Sequence, residues 1–171
     1  MLATIRMARQ PDSAFLALVD AHEETLLRAA RLLTGDWDRA EALLQDTLAW
    51  ALAAWDTLSH EPGTPLRLRQ RLVAAYLDGG GSAGEGDGDD GERDFGGEPD
   101  FGEDVPVPPA HRQLVDSLAY LNPEDRTILV SRYYLGLSAA EIGEVLGVEA
   151  EEVALAAAEA LARLRWGAVG R

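Results

Sequence analysis

Residues 121–148 read LNPEDRTILVSRYYLGLSAAEIGEVLGV, and they decide how the chain folds. Asn122-Pro123 joins a side-chain cap to a proline in the first helical turn, where its missing N–H costs nothing. Gly136 closes the helix that this pair opens. Ser138-Ala-Ala-Glu141 has the spacing of a capping box, in which hydroxyl and carboxylate satisfy each other's orphan backbone donors. It predicts a short helix through Ile142, Val145 and Leu146, ended by a tight turn at Gly147. A longer helix is predicted from about Glu149 to Trp166. A short helix, a glycine turn and a longer helix stand in helix-turn-helix order.

Upstream, Leu114, Val115, Leu118 and Leu121 give one more helical signal, so residues 110–171 form a module of four. Before it, residues 78–104 hold 1 Arg, 11 acids and 10 glycines, with Phe95 and Phe101 the only apolar side chains larger than alanine. Such a stretch cannot bury enough surface to offset its ordering entropy. With the stiff Val105-Pro106-Val107-Pro108-Pro109 it makes residues 78–109 an acidic, Gly- and Pro-rich flexible linker. Residues 1–77 read as three helices. The first starts at Asp12 or Ser13, carries Phe15, Leu18, Val19, Leu26, Ala30 and Leu33, and stops at Thr34-Gly35. The second is capped by Asp36 or Asp38 and repeats Leu43, Leu44, Thr47, Leu48, Ala51, Leu52 and Trp55 on one wide face, with Glu41, Gln45 and Asp46 outside it. The third is announced by Thr64-Pro65, as cap and first-turn proline, and runs through Leu66, Leu68, Leu72, Val73 and Tyr76. No strand pattern appears, and the expected fold class is all-α, two small helical modules on a tether.

Composition narrows the function. The chain of 171 residues has 15 Arg, no Lys, 30 acidic residues and no Cys, for a net charge of −15. Without cysteine there is no disulfide framework, thiolate metal site or cysteine nucleophile. The N-terminus has no apolar signal region, and no stretch approaches the roughly 20 apolar residues of a membrane span, so a cytoplasmic protein with no membrane contact is expected. His22, His60 and His111 lie on separate segments with no metal-ligand spacing. Gly79-Gly80-Gly81 lacks the strand and Lys-Ser/Thr of a phosphate loop, and Asp87 to Glu92 lacks the register of a calcium loop. No catalytic residue, metal or cofactor is expected.

Both modules together resemble a sigma-70 family RNA polymerase sigma factor of the extracytoplasmic-function group. Residues 38–56, DRAEALLQDTLAWALAAWD, are similar to the helix of sigma region two that docks on a coiled coil of the polymerase beta-prime subunit. Residues 121–148 resemble region four, which reads the minus-thirty-five promoter element. The resemblance implies core RNA polymerase as partner, with Glu41, Gln45 and Asp46 as a polar edge for a partner helix. The residues alone fit a solvated face better than a partner contact.

The departures from that family fall on the DNA-facing surfaces. Where members follow the third helix of region two with a basic run, this chain continues Asp78-Gly79-Gly80-Gly81 and turns acidic. Arg67, Arg69 and Arg71 on the third helix are either DNA-binding cations or partners of nearby acids. On the last helix, Glu149, Glu151 and Glu152 take the first turn, where acids suit the macrodipole but face phosphates in a groove. Val153 to Ala160 offer no bidentate donor for guanine and no amide for adenine. Arg163 and Arg165 are the remaining candidates for a DNA backbone. The expected function is a sigma-factor-like transcription regulator that binds polymerase and reads promoter DNA weakly. The alternative is an interaction module on a sigma fold, such as a decoy for an anti-sigma protein or an inhibitor or adaptor of polymerase.

Overall fold

The computed structural model describes residues 12–79, 117–118 and 121–169; the acidic linker and the Leu114-Val115 helical signal lie outside them. The elements are α1 (Ser13–Thr34), α2 (Trp37–Ala53), α3 (Trp55–Leu58), α4 (Thr64–Asp78), α5 (Pro123–Leu129) running straight into a π-helical turn (Val130–Tyr134), α6 (Ala139–Leu146) and α7 (Ala150–Val169). Among the described residues there is no strand, so the fold is all-α, as expected.

Local chemistry sets the helix ends. Asp12 caps α1 by accepting from the Phe15 N–H at 2.8 Å, and its second oxygen accepts from the Trp55 indole N–H at 2.9 Å. Phe15 meets the Trp55 ring edge-on, centroids 5.2 Å apart, so one aspartate ties the start of α1 to α3. Gly35 takes the left-handed conformation (φ 73°) that stops α1, and Asp36, rather than Asp38, caps α2 through the Arg39 N–H at 2.9 Å. The Thr34 hydroxyl sits 2.9 Å from the Ala30 carbonyl and 2.8 Å from that of Asp36, bracing this turn.

Two expectations are corrected. Trp55 does not continue the second helix: α2 ends at Ala53, and a four-residue α3 turns Trp55 inward to 4% exposure. The alanines around this break carry no stop signal. Nor does Thr64 cap α4. Gly63 holds that position without a side-chain bond, while the Thr64 hydroxyl, inside the helix, lies against the carbonyls of Leu58 and Glu61.

Leu26, Ala30 and Leu33 of α1, Leu44 and Ala51 of α2, and Leu68, Leu72 and Val73 of α4 form the N-terminal part of the core. Ile128, Leu129, Leu135, Leu137, Ile142, Val153 and Ala160 form the C-terminal part, and the two are continuous. Each large aliphatic side chain so buried contributes about 1.5–3 kcal/mol.

The C-terminal unit has the helix-turn-helix geometry that its capping signals predict. Asn122 accepts from the Asp125 N–H at 2.7 Å, and both arms of the Ser138–Glu141 box are formed, at 3.2 and 2.7 Å. Gly147 turns with φ 72°. Gly143 has a steric reason for its identity: a Cβ there would sit 2.5 Å from the Val148 carbonyl oxygen, where the chain crosses back over α6.

Candidate nucleic-acid and polymerase interfaces

Helix α7 is the second helix of the helix-turn-helix, the one that would enter a groove. Val153, Ala157 and Ala160 face the core, which turns Glu151, Leu155, Ala158 and Ala162 outward, flanked by Glu152 and Glu159. Leu155 is 64% exposed and Val148, in the preceding turn, 41%. The Glu149 N–H points at the Glu152 carboxylate, 3.4 Å away, so the acids of the first turn serve the helix end. The outward face therefore presents carboxylates and small apolar groups at the end where a DNA reader presents donors.

Of the two α7 arginines, Arg163 is already paired within the protein. Its guanidinium bonds Asp125, whose side chain is 8% exposed, and lies 3.3 Å from Glu159. The Asp125 hydrogen bond and charge raise its pKa further above the ordinary guanidinium value. Arg165 is exposed, and among the described residues it makes no ion pair.

The α4 arginines all have intramolecular company. Arg67 lies 3.8 Å from Glu61, and Arg71 lies 3.6 Å from Asp78 with its guanidinium 5.9 Å from the Trp50 ring centre. Arg69 reaches into the C-terminal unit and donates to the Leu135 carbonyl at 3.1 Å. The next residue, Gln70, donates to the Glu141 carbonyl at 3.3 Å and to the Glu144 carboxylate at 3.1 Å.

On α2 the situation is the reverse. Glu41, Gln45 and Asp46 are all exposed on the side opposite Leu43, Leu44 and Thr47, and share that side with Asp38, Ala42 and Ala49. Among the described residues none of the three makes an ion pair or side-chain hydrogen bond. Their donors and acceptors are open to a partner.

Several residues that shape these surfaces carry no signal in the sequence, Arg126 above all. It is 9% exposed, yet its guanidinium is satisfied by carbonyls from three places: Leu118 at 3.0 Å, Leu121 at 3.2 Å and, across the unit boundary, Leu33 at 3.2 Å. Leu33 is in the last turn of α1, where carbonyls lack helical donors and the macrodipole favours a cation. Arg126 also hydrogen-bonds the phenol of Tyr76, whose pKa burial nevertheless raises. The Tyr134 phenol is likewise pushed up by burial, with the Arg28 charge of α1 opposing the shift.

Among the described residues no group of acids or histidines is arranged to hold a metal, and no helix is long and apolar enough to cross a membrane. Residues 117–165 match the family Sigma-70, region 4. No curated protein shows a match to the chain. The match spans the helix-turn-helix from Ser117 to Arg165, so the C-terminal unit is similar to a sigma-70 region 4 domain.

Proposed function

We propose that this chain binds core RNA polymerase through the α2 edge of Glu41, Gln45 and Asp46 and acts in transcription initiation as a sigma-factor-like protein of the extracytoplasmic-function type. In this reading α7 adds little or no base readout. The observation that supports the proposal is a match to sigma-70 region 4 in the C-terminal unit together with an α2 helix whose Glu41, Gln45 and Asp46 all face solvent without partners among the described residues. Side chains one helical turn apart present a row of hydrogen-bonding groups that a partner helix, such as the beta-prime coiled coil, can read.

The composition of α7 supports the second half. DNA affinity comes mainly from cations that displace counterions, and the outward face of α7 carries carboxylates instead. The test is equilibrium binding of the full chain to core polymerase, alongside a Glu41→Arg, Asp46→Arg variant. Both positions are exposed, so the variant keeps its fold, and its affinity is expected to fall at least about tenfold, the range for charge reversal at a polar contact. Failure of the unmodified chain to be retained by core polymerase overturns the proposal.

A second reading is favoured by the exposed Leu155 and Val148 beside the α7 acids. This is a surface suited to a protein partner, as in an anti-sigma decoy or a polymerase inhibitor. It predicts binding to an anti-sigma protein that is lost on Leu155→Asp, with polymerase affinity unchanged.

A further inference from the structure

The exposed row on α7 has the spacing of a helix–helix seam. Glu151, Leu155, Ala158, Ala162 and Arg165 are all exposed and follow one another at steps of four, three, four and three residues. That heptad spacing keeps one row of side chains facing a partner helix, and here the row runs about 21 Å from end to end. Val153, Ala157 and Ala160, on the opposite side of α7, are buried in the core, so the fold itself holds the row outward. Leu155, the one large apolar member, is 64% exposed. The two ends carry opposite charges, Glu151 in the first turn and Arg165, which makes no ion pair among the described residues, in the last. We infer that this row is a self-complementary seam that takes a second copy of the chain, α7 against α7 in antiparallel alignment.

Charge fixes the direction. In antiparallel alignment Glu151 of each copy comes within reach of Arg165 of the other, and the helix dipoles oppose; a parallel pair would set Glu151 on Glu151 and Arg165 on Arg165. Shape agrees with charge, because the small Ala158 and Ala162 leave the gap into which Leu155 of the other copy inserts, and small residues let two helices approach closely. The contact is isologous, so the same five side chains serve both copies and the assembly closes at two. The net charge of −15 opposes association. At about 0.15 M salt, screening within about 8 Å confines that opposition to groups beside the seam. Glu152 and Glu159 are the acids flanking it, and Arg163, 3.3 Å from Glu159, offsets part of their charge. A paired α7 buries the side that a groove-binding helix presents, so self-association and groove binding exclude each other. The α2 edge takes no part in the pairing.

The experiment uses the full chain and needs no polymerase, so its outcome is independent of the function proposed above. Sedimentation equilibrium at about 0.15 M salt is expected to show a weak monomer–dimer equilibrium, in keeping with a seam smaller than a standard interface. Leu155→Asp should remove the dimer. Glu151→Arg and Arg165→Glu each set two like pairs on the seam and should each weaken association at least about fivefold. The two substitutions together recreate the opposite pairs and should restore it to within about twofold of the unaltered chain. Because the sequence contains no cysteine, Ala158→Cys offers a single thiol on the seam, and Ala21→Cys on α1, also exposed, offers one outside it. A short bismaleimide should join copies through the first much faster than through the second. Unchanged helicity by circular dichroism confirms that each variant is folded. A monomer at every concentration up to about 1 mM overturns the inference. So does association untouched by Leu155→Asp, or a double variant no better than either single one. A chain that stays monomeric while its α7 face takes a basic helical peptide gives that face to another occupant and likewise overturns it.

Discussion

Arg126 shows how backbone carbonyls can hold a buried cation. Its five N–H donors meet three carbonyls and a phenol in a space where an unsatisfied guanidinium would be costly. Arg126→Met should destabilise the chain by about 2–3 kcal/mol, the cost of losing hydrogen bonds to a charged group and leaving carbonyls dry, measured by urea unfolding. Nothing in the sequence marks this role, because the accepting carbonyls belong to Leu33, Leu118 and Leu121, and backbone oxygens have no residue signature. Gly143 was equally hidden, sitting in a helix where glycine has no local purpose. Its reason lies in the Val148 carbonyl that passes over it. Gly143→Ala should lower stability by about 1–3 kcal/mol through overpacking, read as a fall in Tm. Glu141 and the Ser138 cap, by contrast, were legible from spacing alone. The Ser138 backbone N–H and then its hydroxyl hold the Glu141 carboxyl below its usual value of 4.5. A depressed carboxylate contributes stability above that value and loses it as pH falls through the folded one. Ser138→Ala should cost about 1 kcal/mol as a lost cap, whereas Glu141→Gln should cost most at neutral pH, with its difference from the unaltered chain shrinking under acid conditions.

At the level of elements, the helix-turn-helix was readable because each of its boundaries is written locally, in Asn122-Pro123, Gly136, Ser138 to Glu141, and Gly147. The α2–α3 break was not, since Leu52-Ala53-Ala54-Trp55 continues the apolar repeat and the chain turns there only because Trp55 packs on Phe15 and bonds Asp12. The α4 arginines were left open by sequence between DNA and acidic neighbours. The structure puts Arg67 and Arg71 beside Glu61 and Asp78, and Arg69 on a carbonyl that no linear pattern could indicate. For α7 the sequence already carried the central fact, an acidic first turn followed by alanines. If that composition is what limits DNA binding, Glu151→Arg with Glu152→Arg should raise duplex affinity at least about tenfold at low salt and steepen its salt dependence by up to about two units of log K per log salt. Fluorescence anisotropy with a short duplex measures both.

At the scale of the molecule, the sequence divides the chain into two helical modules around an acidic, glycine-rich stretch. It is silent on whether they meet. Docking depends on Arg126, Arg69 and Gln70 finding partners far away in the chain, and periodicity does not report such pairings. The resulting surface has two different sides: an α2 edge whose polar groups have no partners among the described residues, and an α4 side that contacts the C-terminal unit. The most direct test is titration of the full chain into core RNA polymerase at fixed salt, with the Glu41→Arg, Asp46→Arg variant measured in parallel. Saturable binding by the unaltered chain that weakens at least about tenfold in the variant is the predicted result. Absence of binding, or equal affinity for both proteins, contradicts the assignment of the α2 edge as the polymerase contact.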